Sequence, residues 1–356
     1  MSRKAVLFII CLLCLSLVAF VGGCGDPDAA DNENGAADAP TEGATYNWRM
    51  GTIYPPDHFV SKAGDIFAET VNELSDGRIT VDVRHGSELG DYPEQIENVM
   101  MGTQALVFSC PDSAYDPRWD LVYIGFLYDS WDQIHDALFP PDGWKLPLLA
   151  EIAEDNGMKF LGIVPTGFGH VAFTNQKITT VEEAQGVKLR TPGFRSGVAR
   201  YESIGYAATP IPLGETFVAL QTGVVDGRSF APSIEVYEMR DAINYYMMTH
   251  DNSEAWIYYM NLDLWNSMSP EDQEIVTEAI NKSLDWAWET AEEEEQYWLD
   301  ECRDYMEVYT IDPAERERFA ALGRAGEWSY FREALGEETM QIFFDKAEEF
   351  GLEIAD

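Results

Sequence analysis

From Tyr46 onward, short apolar runs alternate with amphipathic stretches, which is the pattern of an α/β fold. The runs Asn47–Thr52, Arg78–Arg84, Ala105–Ser109, Lys159–Val164, Val187–Arg190 and Val224–Phe230 predict strands. Between them, helical periodicity predicts helices over Phe59–Leu74, Pro93–Met101, Gly197–Ile204 and Glu215–Gln221. Ser75-Asp76-Gly77 closes the first of these, and Gly102, Gly205 and Gly223 close the others, each a residue that accepts the left-handed turn at a helix C-terminus.

Glu271 to Asp312 contains neither proline nor glycine, and Val276, Ile280, Leu284, Ala287, Ala291, Trp298, Cys302 and Tyr305 recur mostly every three or four residues. This predicts one long helix, started by Ser269-Pro270. Some 35 helical residues at about 1.5 Å each reach roughly 50 Å, more than one small lobe. The acidic run Glu292–Glu295 is expected on its solvated face.

Before Tyr46 the chain has a different character. Arg3 and Lys4 precede an apolar run from Ala5 to Phe20, followed by Val21-Gly22-Gly23-Cys24. That order predicts a secretory signal, residues 1–23, with a small-residue cleavage site. The run is too short for the roughly 20 residues of a bilayer span. Val-Gly-Gly-Cys resembles the lipobox of bacterial lipoproteins, which makes Cys24 the expected lipid attachment site. Residues 24–45 are acidic, small and nearly free of large apolar side chains, so they read as a disordered tether.

About 310 residues remain, with 13% aromatic residues in the whole chain, enough for a core divided into two lobes. Cys11 and Cys14 leave with the signal, so only Cys110 and Cys302 are available to pair, and a cysteine framework is excluded. The formal net charge of -40 argues against nucleic acid as a partner, because phosphate binding needs clustered lysine and arginine. An anion approaching such a surface meets repulsion, so an anion site must concentrate its few arginines locally. No nucleophile elbow, zinc spacing, phosphate loop or dinucleotide fingerprint is present, and the five histidines are scattered.

The segment Thr180–Pro232 carries a Gly-Val-Lys-Leu-Arg strand ending at Arg190, then a helix, Ala207-Ala208-Thr209-Pro210, and the block Glu215 to Gly227 (ETFVALQTGVVDG). These motifs resemble those of the substrate-binding subunits of tripartite ATP-independent periplasmic (TRAP) transporters. The resemblance extends over about Tyr46–Glu348, including the Gly86-Ser-Glu-Leu-Gly90 turn before Asp91. Two departures stand out: Ala105 where the family usually has aspartate, and Arg228-Ser229-Phe230 in place of the commoner sequences after the last strand.

The resemblance implies a two-lobed periplasmic binding protein fold, type II-like, with the long helix bridging both lobes. Lobe I would comprise 46–168 and 254–270, lobe II 169–253, and residues 271–356 the bridging and C-terminal helices. It implies an extracytoplasmic protein that binds a small organic carboxylate by lobe closure and delivers it to a small and a large membrane subunit. Arg190 matches the arginine that holds the ligand carboxylate, a role its planar two-point donor suits. His170 aligns with a second carboxylate-contacting arginine of sialic-acid binders, although a histidine that does not touch ligand is equally compatible. Phe230 supplies an apolar or stacking wall, with Tyr54, Trp256 and Phe168 nearby by analogy, which suits a monocarboxylate with an apolar or aromatic part. Glu88 joins the expected binding set. Ser229 stands where the metal-dependent variants have glutamate, so no metal and no cofactor are expected. Two rivals remain at this point: an exported hydrolase using carboxylates such as Glu88 and Asp57, and a binding protein of an ATP-driven importer.

Overall fold

The computed structural model describes residues 43–352 and 354; the expected signal, Cys24 and nearly all of the tether lie outside these residues. Local signals set the first half. Strand β1 (Tyr46–Gly51) leads into α1 (Phe59–Leu74), which begins where His58 Nδ1 accepts from Val60 N and ends at Asp76 and Gly77, both with positive φ. Then come β2 (Ile79–Arg84) and α2 (Tyr92–Met100), the latter capped by the Asp91 carboxylate with Pro93 in its first turn. Strand β3 (Leu106–Ser109), a short 3-10 segment (Pro117–Tyr123), α3 (Trp131–Leu138) and α4 (Leu146–Asp155) complete it.

A long strand β4 (Met158–Phe173) leads to the second half: β5 (Lys188–Thr191), α5 (Arg195–Ile204), β6 (Ala207–Pro210), α6 (Leu213–Gln221), β7 (Gly227–Arg228) and α7 (Ser233–Glu238). Strand β8 (Tyr245–Asn261) returns, followed by α8 (Leu262–Ser267), α9 (Pro270–Arg303), β9 (Glu307–Tyr309), α10 (Pro313–Leu335) and α11 (Glu337–Glu349). The sheet order is β2-β1-β3-β8-β4-β7-β5-β6, with β9 alongside β8. Strand β3 pairs with the end of β8 at Ile257–Met260, whereas β7 pairs with the end of β4 at Ala172–Phe173. Two parallel α/β units are therefore joined through the antiparallel pair β4–β8. Register shifts at Phe160/Gly162, Pro165/Gly167 and Gly169/Val171 bend that pair, as bulges do.

Helix α9 lies along both units. Ser283 donates to the Ala63 carbonyl of α1 at 2.7 Å, and Trp288 Nε1 donates to the Ile163 carbonyl of β4 at 2.9 Å. Further along, Ser233 of α7 donates to the Glu295 carbonyl at 3.0 Å.

Several sequence expectations are corrected here. Helix α9 stops at Arg303 rather than Asp312. The amides of Tyr305 and Met306 turn back to the Cys302 carbonyl, and Glu307–Tyr309 then pairs with Tyr245–Met247. The expected strand Val224–Phe230 shrinks to two residues, because Phe230 takes φ 48° and leaves the sheet. Glu295 is not on the solvated face: Oε1 accepts from Phe168 N and Oε2 from Trp131 Nε1. Cys110 and Cys302, whose pairing the sequence leaves open, are both free, and Cys302 Sγ donates to the Ser233 carbonyl.

Candidate ligand-binding site

Parallel strands leave a crevice beyond their carboxyl ends, where the backbone departs into loops. Here the ends of β1, β3, β5 and β7 meet around one cavity with about 470 Å³ of empty space, counting the part that opens to solvent. Its walls include Tyr54 after β1, Cys110 after β3, Arg190 and Phe194 from β5 and the loop after it, and Arg228, Phe230 and Glu235 around β7 and α7. Glu254 and Trp256 of β8 complete it.

Arg190 is 3% exposed. Its Nε donates to the Ile211 carbonyl at 2.9 Å, which orients the guanidinium. Neither Nη has a hydrogen-bond partner among the described residues, so two parallel donors remain for an incoming group. Burial first, and then the neighbouring Arg228 charge, pull Arg190 down to about 9, so it remains a cation at neutral pH. The Ser229 hydroxyl and amide both donate to the Arg190 carbonyl, at 3.0 and 2.9 Å, fixing the strand that carries it.

Arg228 is fully buried and is bound to Glu235 Oε2 at 2.5 Å and to the Phe230 carbonyl at 2.6 Å. The Tyr54 hydroxyl donates to Glu235 Oε1 at 2.6 Å. Burial, and then Glu235, push the Tyr54 hydroxyl well above its ordinary range, so it is a neutral donor. Its ring stacks on His58 at 3.6 Å and tilts against Trp256 at 4.8 Å. Burial depresses His58 to about 3, leaving an uncharged stacking partner. Phe230 is held edge-on to Tyr123, Phe194 and Tyr201, with centroids 5.7 to 6.0 Å apart. Gly197 leaves room for the ring, since a Cβ there would come within 2.7 Å of Phe230 Cε2. Glu254 Oε1 accepts from Asn252 Nδ2 at 2.7 Å, and burial is the main reason that its carboxyl is pushed up to about 7.

Of the residues singled out from sequence, Arg190, Phe230, Tyr54 and Trp256 share this cavity. His170 and Phe168 do not: both line a separate recess with Trp131, His250 and Glu295. His170 Nδ1 accepts from His250 N at 3.0 Å, and burial drives its pKa well below the ordinary histidine value, so it offers no positive charge. Glu88 is exposed and faces Arg84 at 3.5 Å, and Asp57 is exposed as well, so neither reaches the cavity. Sequence reasoning missed Arg228, Glu235 and Glu254. The signal for Arg228 was present in the departure from the family pattern at Arg228-Ser229-Phe230, which places a second arginine two residues before the wall aromatic Phe230.

A bilobal α/β fold with an arginine-bearing cavity at the strand ends defines a solute-binding protein. The family model described as bacterial extracellular solute-binding protein, family 7, matches residues 50–325, and the chain belongs to this family, that of the TRAP transporter solute-binding proteins. A solute-binding protein of Chromohalobacter salexigens is 27% identical over 257 residues, covering 71% of this chain and 73% of the relative. One from Verminephrobacter eiseniae is 26% identical over 261 residues, covering 72% and 76%. A TRAP periplasmic solute-binding protein of Sulfitobacter sp. NAS-14.1, solved with bound β-D-galacturonate, superposes with a TM-score of 0.74. It is 26% identical and is covered to 97%, against 81% of this chain. Among the described residues, no helix is long and apolar enough to cross a membrane.

Proposed function

We propose that this chain captures a small monocarboxylate with an apolar or aromatic part, closes its two lobes on it, and delivers it to the small and large membrane subunits of a TRAP transporter. The observation that carries the reading is Arg190: a buried guanidinium lining the cavity, oriented by its Nε bond to the Ile211 carbonyl, whose two terminal nitrogens have no hydrogen-bond partner among the described residues. A carboxylate accepts two parallel hydrogen bonds from such a fork. The galacturonate held by the Sulfitobacter relative is likewise a carboxylate. In this chain the remaining walls favour a less polar body, because Phe230, Trp256, Tyr54 and Tyr123 dominate them. Ser229 stands just before Phe230 where metal-dependent variants carry a glutamate, and a neutral hydroxyl in place of that carboxylate supports binding without a metal.

Attachment to the membrane through Cys24 is part of the same proposal, resting on the Val-Gly-Gly-Cys sequence and the acidic tether behind it. A thermal-shift screen against carboxylates, their amides and neutral isosteres tests the ligand class. Stabilisation confined to carboxylates supports the reading, and stabilisation by the amides alone refutes it. Fractionation of cells expressing Cys24→Ser tests the anchor, with release from the membrane as the expected result and retention of the exported variant as the contrary one.

A further inference from the structure

We propose that the carboxylate accepted by this site also carries a positive charge, seated against Glu254, so that the ligand is a zwitterion. The inference deepens the carboxylate reading above and rests on it. Its basis is the charge pairing inside the cavity, where two arginines and two glutamates meet. Arg228 and Glu235 neutralise each other at 2.5 Å, and Tyr54 fills the second Glu235 oxygen. Arg190 and Glu254 are left over. Each has one anchoring bond, Arg190 Nε to Ile211 and Glu254 Oε1 to Asn252; each lines the cavity, and the Arg190 terminal nitrogens and Glu254 Oε2 have no hydrogen-bond partner among the described residues. No hydrogen bond joins the two to each other among those residues.

One uncompensated cation and one uncompensated carboxylate in a shared cavity complement a molecule bearing one of each. A plain monoanion would engage Arg190 and leave the partly buried Glu254 without a countercharge, which is costly in proportion to how far water is excluded. Burial first, and the nearby Glu235 charge after it, raise Glu254 to about 7, against the pull of its Asn252 hydrogen bond and of Arg228. Glu254 and Trp256 lie two residues apart on β8 and so face the same side, and Tyr54 leans on Trp256 at 4.8 Å. An ammonium or iminium group at Glu254 therefore meets aromatic surface as well, which attracts cations. The surface field points the same way: with a net charge of -40, the protein repels an anion on approach but not a molecule of zero net charge.

The test uses matched pairs that differ only in the positive charge: glycine betaine against tert-butylacetate, proline against cyclopentanecarboxylate, and phenylalanine against hydrocinnamate. Calorimetry on the wild type is expected to show the zwitterion of at least one pair bound roughly 10- to 100-fold more tightly, the range of a charge-assisted hydrogen bond in a buried site. Glu254→Gln, checked for an unchanged cooperative melt, is expected to level that pair, and Arg190→Ala to weaken both members. If the uncharged member of every pair binds as well or better while Arg190→Ala abolishes it, the zwitterion inference fails and the carboxylate reading stands. If a folded Glu254→Gln keeps the preference, the assignment to Glu254 fails. If Arg190→Ala leaves every affinity intact, the carboxylate reading falls and this inference with it.

Discussion

The ion pair between Arg200 of α5 and Glu327 of α10 has no solvent exposure on either side chain, and Glu327→Ala is expected to be severely destabilising. Arg200 donates to Glu327 through Nη2 at 2.6 Å and Nε at 3.2 Å, to the Tyr123 carbonyl at 2.5 Å and to the Asp251 carbonyl at 3.1 Å. Glu327 Oε2 also accepts from Gly125 N at 2.8 Å. Removing the carboxylate leaves a buried guanidinium uncompensated and a buried amide without an acceptor. Breaking a buried pair in this way costs about 3–5 kcal/mol. The Gly125 loss falls within that figure rather than adding to it, because both groups turn to the same vacated space. At about 2 °C per kcal/mol for a chain of this size, the melting temperature should fall by roughly 6–10 °C. The Arg200→Met/Glu327→Met double variant should recover part of the loss, since an apolar pair of similar volume carries no charge to desolvate, while the Gly125 amide and the Tyr123 and Asp251 carbonyls stay without these partners. Urea unfolding of the wild type, both single variants and the double gives the coupling energy directly. A Glu327→Ala loss below about 1 kcal/mol, or a double variant worse than the sum of the singles, would refute the argument. The pair also matters to the cavity, because Arg200 lies 5.0 Å from the Phe230 ring and holds the backbone of Tyr123.

Two further outcomes follow from single contacts. Gly197→Ala should push the Phe230 ring into the cavity, since the ring end is the part that can yield while the Phe230 carbonyl is held by Arg228. Ligand affinity should drop by about tenfold while helix propensity keeps the melting temperature level or slightly higher; unchanged affinity in calorimetry would count against the wall assignment. Glu295→Gln tests a pH dependence. Burial raises Glu295 to about 7 from an ordinary value near 4.5, so the folded state holds a proton that the unfolded state releases, and this stabilisation is lost as pH rises between those values. Relative to wild type, the glutamine variant should therefore gain about 2–3 kcal/mol from pH 4.5 to pH 8, whatever constant offset its lost acceptor imposes. A difference that stays flat across that range in chemical denaturation would overturn the burial argument.

What the sequence disclosed, and what it did not, divides along physical lines. The helices read well because they are punctuated: α1 ends at Asp76-Gly77 and α5 at Gly205, residues whose left-handed backbone stops a helix wherever it sits. The long strands did not. Strand β4 contains Gly162, Pro165, Gly167 and Gly169, and β8 carries Thr249 to Glu254, a polar stretch that breaks the apolar alternation expected of a strand. Those residues tolerate extended structure because the two strands pair with each other through bulges across the middle of the sheet. In the site, Arg190 was legible because its strand lies in a local motif. Glu254 was not, because it reaches Arg190 and Arg228 only when β8 returns between β3 and β4, far along the chain from either arginine's motif. His170 was misplaced for a related reason: alignment fixes a position along β4, but the bulge between Gly169 and Val171 decides the side to which the ring turns.

The central claim is that Arg190 grips the ligand carboxylate with a two-point fork, and calorimetry on Arg190→Ala and Arg190→Lys, with the carboxylate that most stabilises the wild type, tests it most directly. Losing one partner of a buried charge pair costs about 2–5 kcal/mol, so the alanine variant should bind roughly 30-fold to several thousand-fold more weakly. Lysine keeps the charge but not the planar pair of donors, so it should recover little of that loss. Wild-type affinity in a correctly folded Arg190→Ala protein would contradict the site, and full recovery by lysine would contradict the bidentate grip.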